Sequence, residues 1–264
     1  MKIISMAQNV PGPVAVARLV AAGASAIKIE APWGDPLHGF CKPWYDELHT
    51  GVTIARLDLK SADGMRALMD LLGSADVFVA SHRPSALGRL GLDAPALARR
   101  VPLLRHLNIV GSTAHPEEPG HDVTYQAQAG LLQGGLPKTL LADLLGAERA
   151  HAAVLEMMHK GPGGSRVIGL FEALKELTAP LRHGLTTPGG VLGGANPAYG
   201  VYAARDGAIA VGALEPHFRE RLYAALGLAD GAPLTDIFKT RTADDWATWA
   251  TDRDIPLKAI TATD

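Results

Sequence analysis

The first 110 residues alternate short apolar runs with segments of helical spacing, and this alternation restricts the fold more than any other feature. The spacing of apolar residues predicts helices over 14–22 and 61–72, with Ser61 as the cap of the second. A chain that passes repeatedly from strand to helix to strand favours a mainly parallel sheet with right-handed crossovers. We therefore predict an α/β, Rossmann-like large domain. The runs typical of strands are 3–4, 26–30, 56–59, 77–80 and 104–110.

The rest of the chain has a different pattern. A helical segment that includes Asp143 stops at the GPGG of residues 161–164, and a Gly- and Pro-rich stretch follows at 180–200. Beyond it, Arg205-Asp206-Gly207 is typical of a hairpin turn between two short strands. We predict a large domain over 1–180 and a smaller α+β domain over 181–264. Further helices are predicted over 167–177, 217–226 and 242–250.

Composition excludes several classes of protein. The chain has 264 residues and a formal net charge of -2, without a Lys/Arg cluster, so nucleic acid is not an expected partner. A single cysteine, Cys41, allows no internal disulfide. No run approaches the ~18 apolar residues that span a membrane, and the start of the sequence does not resemble a signal peptide. We expect a cytoplasmic protein without a membrane partner.

The beginning of the sequence also suggests a dinucleotide-binding fold, because a strand, a loop and a helix lead to a second strand that ends in Glu30. The loop reads AQNVPGP, however, and lacks the GxGxxG pattern that lets backbone approach a pyrophosphate. The segment GGLPKTLL at 134–141 does not form a P-loop either. A nicotinamide enzyme is therefore disfavoured.

Three distant segments each contain an ionisable residue in an unusual setting: PGHDVTYQAQAG at 119–130, LLADLLGAERA at 140–150 and IAVGALEPHF at 209–218. Each has an ordinary explanation when taken alone. His121 suits a surface turn, Asp143 suits a helix cap, and Glu215 suits an exposed loop.

Together these segments resemble family III of the CoA-transferases and racemases (CaiB/BaiF-like), and within it the α-methylacyl-CoA racemases. The N-terminal half adds PGP in the first loop, AIKIEAP followed by GDP, LDLK, ADVFVASHRP and RLGL. The resemblance covers nearly the whole chain and is weakest from about 160 to 190. The combination of the three segments is specific, whereas each motif alone is weak.

The resemblance implies an isomerase that interconverts (R)- and (S)-2-methylacyl-CoA thioesters by 1,1-proton transfer through an enolate. It places His121 and Asp143 as the two acid/base residues on opposite faces of the substrate carbon, and Glu215 as the carboxylate that orients His121. Backbone N–H groups at the start of the helix of Asp143 are expected to hold the thioester oxygen. No metal and no cofactor beyond the CoA thioester substrate is implied.

For the CoA moiety, the resemblance implies Lys60, Arg83, Arg89 and Gln8 as binding residues, with Lys28 nearby. Cationic side chains suit the phosphates, and the guanidinium fork of arginine suits them especially well. Trp44 and Tyr125 are candidates for the acyl site, which we expect to be apolar. A homodimer is implied as well.

Two alternatives stay open. A CoA-transferase of the same family would use Asp143 as an acyl nucleophile; His121 and Glu215 favour the racemase. The other alternative is a shortened, non-catalytic CoA-binding relative, because the chain is shorter than the family's usual members and ends at IPLKAITATD.

Overall fold

The computed structural model describes residues 1–132 and 134–260, and the chain divides into two units, Met1–Thr178 and Ala179–Asp264. The boundary drawn from the sequence lies after residue 180. Each unit has its own apolar core.

The first unit is built on a parallel sheet of six strands in the order β3-β2-β1-β4-β5-β6. The order runs outward in both directions from the central pair β1 and β4, so the boundary between these two strands is a topological switch point. The predicted α/β, Rossmann-like architecture is confirmed. The strands are β1 (Lys2–Ser5), β2 (Ser25–Glu30), β3 (Val52–Arg56), β4 (Val77–Ala80), β5 (Arg105–Val110) and β6 (Ser165–Gly169).

Helices connect these strands, and their first turns follow simple rules. Ser61 caps α4 as predicted, since its Oγ accepts the N–H of Gly64 at 3.0 Å. Proline occupies the first turn of several others, where its missing N–H costs little. The helices are α1 (Pro11–Ala21), α2 (Pro36–Phe40), α3 (Lys42–Leu48), α4 (Ala62–Gly73), α5 (Pro84–Leu90), α6 (Ala94–Arg100), α7 (Asp122–Gln128), α8 (Leu141–Lys160) and α9 (Leu170–Leu177).

One predicted strand lies elsewhere, and one predicted helix begins three residues too early. The third strand covers 52–56 and not 56–59, because the carbonyl of Asp58 accepts the N–H of Ser61 at 3.0 Å and turns the chain into α4. Residues 167–169 belong to strand β6 and not to a helix. They pair with β5 from Asn108 to Val110, and this non-local pairing outweighs the local helical spacing.

Apolar side chains cover both faces of the parallel sheet, as is usual for such sheets. Ile3 and Ile4 are both fully buried, yet they belong to separate clusters because successive residues of a strand point to opposite faces. Val77 and Phe78 repeat this division on β4. Apolar packing on both faces therefore fixes the register of the strands.

The second unit has an antiparallel sheet in the order β7-β8-β9. The predicted hairpin is confirmed, and β9 adds a strand that was not predicted. Trp246 is buried in the core of this unit, and its Nε1–H donates to the carbonyl of Phe238 at 2.7 Å. The elements are β7 (Tyr199–Ala203), β8 (Ala208–Gly212), β9 (Leu257–Ala259), α10 (Ala179–Arg182), α11 (Pro216–Leu226), α12 (Thr235–Phe238) and α13 (Ala243–Thr251). Across residues 1–132 and 134–260, every helix is too short or too polar to cross a bilayer.

A buried polar network lies beside β2 and centres on Lys28, whose residue is 2% exposed. Its ammonium group forms an ion pair with Asp35, and it lies 2.9 Å from Nε2 of His49 and 3.7 Å from Glu30. The hydroxyl of Tyr45 donates to Glu30 at 2.6 Å. The expectation that Lys28 lies near CoA phosphates as a ligand is not supported, because internal partners surround its charge.

The Lys28 network holds two loops in place through Asp35. Oδ1 of Asp35 accepts the N–H of Leu37 at 2.9 Å and the N–H of Asn9 at 3.1 Å. Asn9 has a φ of 60°, so this contact supports an uncommon backbone conformation in the loop after β1. Burial and the charge of Lys28 lower the pKa of His49, which keeps its ring neutral beside the ammonium group.

Replacing Lys28 by methionine should destabilise the first unit strongly. The change removes the cation that pairs with Asp35 and leaves Glu30 with the exposed Arg56, 3.9 Å away, as its cation. Breaking a buried ion pair in this way costs about 3–5 kcal/mol. Lys42→Met is the matched control, because Lys42 and Asp46 are 60% and 54% exposed in their side chains, and an exposed pair contributes at most ~1 kcal/mol. Urea denaturation of both variants measures the difference, and equal losses would contradict the assignment.

Gly12 should be intolerant of a side chain. A Cβ at this position of α1 would lie 2.0 Å from Cβ of Ala7, so the loop after β1 and the helix would have to separate. Gly12→Ala should lower the free energy of unfolding by roughly 1–3 kcal/mol. Gly73→Ala in α4 is the control, since its Cβ would meet no described atom within 4 Å, and it should be neutral or stabilising by up to ~1 kcal/mol. Thermal denaturation followed by circular dichroism compares the two.

Candidate active site

An open cavity of about 550 Å³ lies in the first unit at the carboxyl ends of β1, β4 and β5. This is the edge at which parallel α/β sheets bind ligands, next to the switch point of the strand order. Six residues predicted from the sequence line it together: Gln8, Trp44, Arg83, His121, Tyr125 and Asp143.

His121 lies at the start of α7, on the loop that follows β5. It is exposed, and its backbone N–H donates to Oγ1 of Thr124 at 3.0 Å. Because the residue precedes the helix in an extended conformation, with φ -138° and ψ 166°, the loop presents it at the rim of the cavity.

Two carboxylates hold the loop that carries His121. Glu172 on α9 accepts the hydroxyl of Ser112 at 2.6 Å and the N–H of Thr113 at 3.0 Å. Glu117 accepts both the N–H and the hydroxyl of Ser85, each at 2.8 Å. The loop is therefore fixed to α9 at its beginning and to α5 near its end.

Asp143 is the third residue of α8 and is half-buried at the wall of the cavity. Burial, together with the nearby carboxylate of Asp122, raises the pKa of Asp143 to about 7. A group with a pKa near neutrality is present in both protonation states, and it can both accept and donate a proton at the working pH. Asp143 is therefore suited to acid/base chemistry.

Asp122 caps helix α8 from outside the helix. It is 4% exposed, and its Oδ1 accepts the N–H groups of Ala142 at 2.7 Å and of Asp143 at 3.1 Å. Its Oδ2 accepts Nε2–H of Gln126 at 2.5 Å. Our expectation that the first N–H groups of this helix hold a thioester oxygen is wrong for these two groups, because the Asp122 carboxylate occupies them.

Sequence reasoning missed this role of Asp122, although one signal was present. The residue at the N-cap position of α8 is Leu140, whose side chain cannot accept a hydrogen bond. A helix that begins behind an apolar residue needs an acceptor from elsewhere in the fold. Proximity in space, which the sequence does not display, decides which residue supplies it.

Tyr125 fills the wall of the cavity between two glycines. Its residue is 8% exposed, and a Cβ at Gly111 or Gly120 would lie 2.1 or 2.5 Å from its hydroxyl oxygen. Burial raises the pKa of Tyr125, and the charge of Asp143 adds to this effect. The remaining wall is largely apolar, with Leu37, Phe40, Trp44, Val123, Leu140 and Leu170.

A second, smaller cavity of about 160 Å³ lies at the carboxyl ends of β2 and β3. Lys60 lines it, with Ile29, Leu57 and Leu59 as apolar neighbours. Arg89 is exposed on α5 and is not among the residues that the structure places along either cavity. Its role in CoA binding stays a prediction.

Glu215 belongs to the second unit, where it is exposed and precedes the first residue of α11. Its pairing with His121 stays a prediction. Within the described residues, no group of three or more His, Cys, Asp or Glu side chains has an arrangement suited to a metal ion.

Comparison with known proteins gives relatives of two kinds. The chain is 28% identical over 236 residues to a CaiB/baiF CoA-transferase family protein (ZK892.4) of Caenorhabditis elegans, covering 76% of this chain and 69% of that protein. It is 28% identical over 273 residues to human alpha-methylacyl-CoA racemase, covering 93% of this chain and 68% of the racemase. It is also 28% identical over 184 residues to Rv3272 of Mycobacterium tuberculosis, named a "probable fatty acyl-CoA transferase".

The match to Rv3272 covers 62% of this chain but only 47% of the length of Rv3272. The crystal structure of Rv3272 superposes with a TM-score of 0.86 at 22% identity, covering 99% of this chain and 83% of the other, which shows a common fold. The sequence model of CoA-transferase family III matches residues 1–264, and the chain therefore belongs to that family.

Proposed function

We propose that this protein interconverts the two epimers of 2-methylacyl-CoA thioesters by removing and returning the proton next to the thioester carbonyl. The observation that carries this proposal is that His121 and Asp143 line one cavity and that the pKa of Asp143 is about 7. The likeness to human alpha-methylacyl-CoA racemase over 93% of the chain supports it.

The reaction needs a base on one face of the substrate carbon and an acid on the other. The base takes the proton, the electron pair of the broken C–H bond moves into the enolate, and the acid delivers a proton to the opposite face. In one direction Asp143 acts as a carboxylate and protonated His121 returns the proton; in the other direction the roles are exchanged. A pKa near 7 permits Asp143 to take both roles.

The two cavities suit the two ends of a CoA thioester. The smaller cavity offers an apolar slot for the adenine and the ammonium group of Lys60 for a phosphate, while the larger one holds the acid/base residues and Arg83. The apolar wall around Trp44 suits a branched acyl chain without selecting one strongly, because such surfaces discriminate by only ~1–3 kcal/mol per methylene. We also propose a cytoplasmic homodimer that needs no cofactor besides its substrate, as the resemblance implies.

Acyl transfer is the second candidate, because relatives of this chain include a CoA-transferase family protein and a "probable fatty acyl-CoA transferase". In that reaction the Asp143 carboxylate would attack the thioester carbonyl, form a mixed anhydride as the C–S bond breaks, and release CoA as its thiolate. Such a step needs no second acid/base group at the substrate carbon. The presence of His121 in the cavity therefore favours proton transfer.

A single epimer of a 2-methylacyl-CoA, incubated with the protein in deuterated water without an acceptor acid, should take up deuterium at the α-carbon and yield the other epimer. NMR and mass spectrometry follow both events. Asp143→Asn and His121→Ala should reduce the rate by about 10²–10⁴-fold, whereas His159→Ala on the exposed end of α8 should leave it unchanged. Acyl transfer to added carboxylates without deuterium uptake would instead support the transferase.

Asp122→Asn should move the limb of the pH–rate profile that belongs to Asp143 to lower pH. The asparagine keeps an oxygen for the N–H groups of α8 but removes one of the two causes that raise the pKa of Asp143; burial, the larger cause, remains. Profiles of kcat/KM between pH 5 and 9 measure the shift. Asp93→Asn is the control, because Asp93 also caps a helix, α6, but lies outside both cavities. An unchanged limb would contradict electrostatic coupling of the two carboxylates.

A further inference from the structure

Gln8 and His82 line both cavities, so the two chambers meet at this pair of residues. They follow the neighbouring strands β1 and β4, at the switch point of the sheet. The N–H of Gln8 donates to Oγ of Ser81 at 2.9 Å, which joins the two loops. We call this pair the junction.

The backbone of His82 is held from the sheet. The carbonyl of His82 accepts Nδ2–H of Asn108 at 3.0 Å, and Asn108 is a buried residue of β5 with 4% exposure. Together with the contact between Gln8 and Ser81, this bond fixes the base of the His82 side chain relative to three adjacent strands. The backbone that carries the ring is therefore placed by the fold.

The surroundings of the His82 ring assign its hydrogen. Burial lowers the pKa of His82, so the ring is neutral near pH 7. Nδ1 is enclosed and has no hydrogen-bond partner in the part of the chain that the structure describes. Because an orphaned buried N–H is rarer than an orphaned acceptor, Nδ1 carries the lone pair. The hydrogen is then on Nε2, the other ring nitrogen.

We propose that Nε2–H of His82 donates a hydrogen bond to an acceptor oxygen in the middle of a CoA thioester that spans both cavities. This inference rests on the proposed function. Between its adenine and its thioester, CoA carries a diphosphate and two amide groups, and both kinds of group offer acceptor oxygens. His82 is thus a positioning residue that sets how far the thioester extends toward Asp143.

Such a contact matters because acid/base catalysis depends on placement of the reacting carbon. A displacement of about 1 Å can reduce a rate by about 10²-fold. The apolar walls of the larger cavity hold an acyl chain without fixing its position along the cavity, whereas one directional hydrogen bond at the junction does fix it. His82 therefore acts on the part of the substrate that does not react.

The test compares binding of three thioesters of 2-methylpropanoic acid by titration calorimetry: the CoA thioester, the pantetheine thioester and the short S-ethyl thioester, which has neither an amide nor a phosphate. His82→Phe should weaken binding of the CoA thioester about three- to tenfold, as expected for loss of one hydrogen bond, and leave the short thioester unaffected. His82→Gln keeps an N–H donor and should stay close to the wild type. His159→Phe is the control on an exposed surface.

The outcomes separate the sources of the acceptor oxygen and the two proposals. Weaker binding of the pantetheine thioester as well assigns the bond to an amide, and an effect confined to the CoA thioester assigns it to the diphosphate. Equal affinities for wild type and His82→Phe, or equal losses for all three ligands, would overturn the role of His82 while leaving the proposed function intact. A wild-type protein that binds no CoA thioester would overturn both. If His82→Phe does not fold, His82→Val removes the donor without adding volume.

Discussion

The hydrogen bonds from the first turn of α8 to the carboxylate of Asp122 are the interaction on which the candidate site depends. They join two helices that are separated in sequence by the segment from 129 to 140, and they place Asp143 at the cavity. They also bring a second carboxylate next to Asp143, which raises its pKa beyond the effect of burial. One buried side chain therefore determines both the position of the acid/base group and its protonation.

The other walls of the cavity are fixed in the same manner, each by a polar side chain that binds backbone N–H groups or a hydroxyl of a neighbouring loop. Asp35 holds the loop after β1, and Lys28 in turn holds Asp35. Glu172 holds the loop after β5. Polar supports of this kind, placed behind the residues that meet the ligand, allow a site to keep its geometry in the absence of substrate.

The sequence predicted what local patterns determine. The parallel sheet, the Ser61 cap and the long helix of Asp143 all follow from apolar spacing and capping chemistry within a few residues. It failed where the decisive partner is distant: residues 167–169 were assigned to the helix that follows them, because a local pattern does not show that β6 pairs with β5. Family resemblance suggested that Lys28 lies near the CoA moiety. The sequence does not show that its side chain is buried among internal partners. For the same reason the sequence does not show that Asp122 supplies the acceptor for α8.

The absence of an acceptor on Leu140 has a consequence for how the protein folds. An α-helix whose opening N–H groups bind a carboxylate of another helix has no stable first turn until that helix has docked. Docking of α7 and ordering of the beginning of α8 then form one cooperative step. The candidate site is consequently complete only while α7 is docked, and a local opening of α7 would remove the cap of α8 and separate His121 from Asp143.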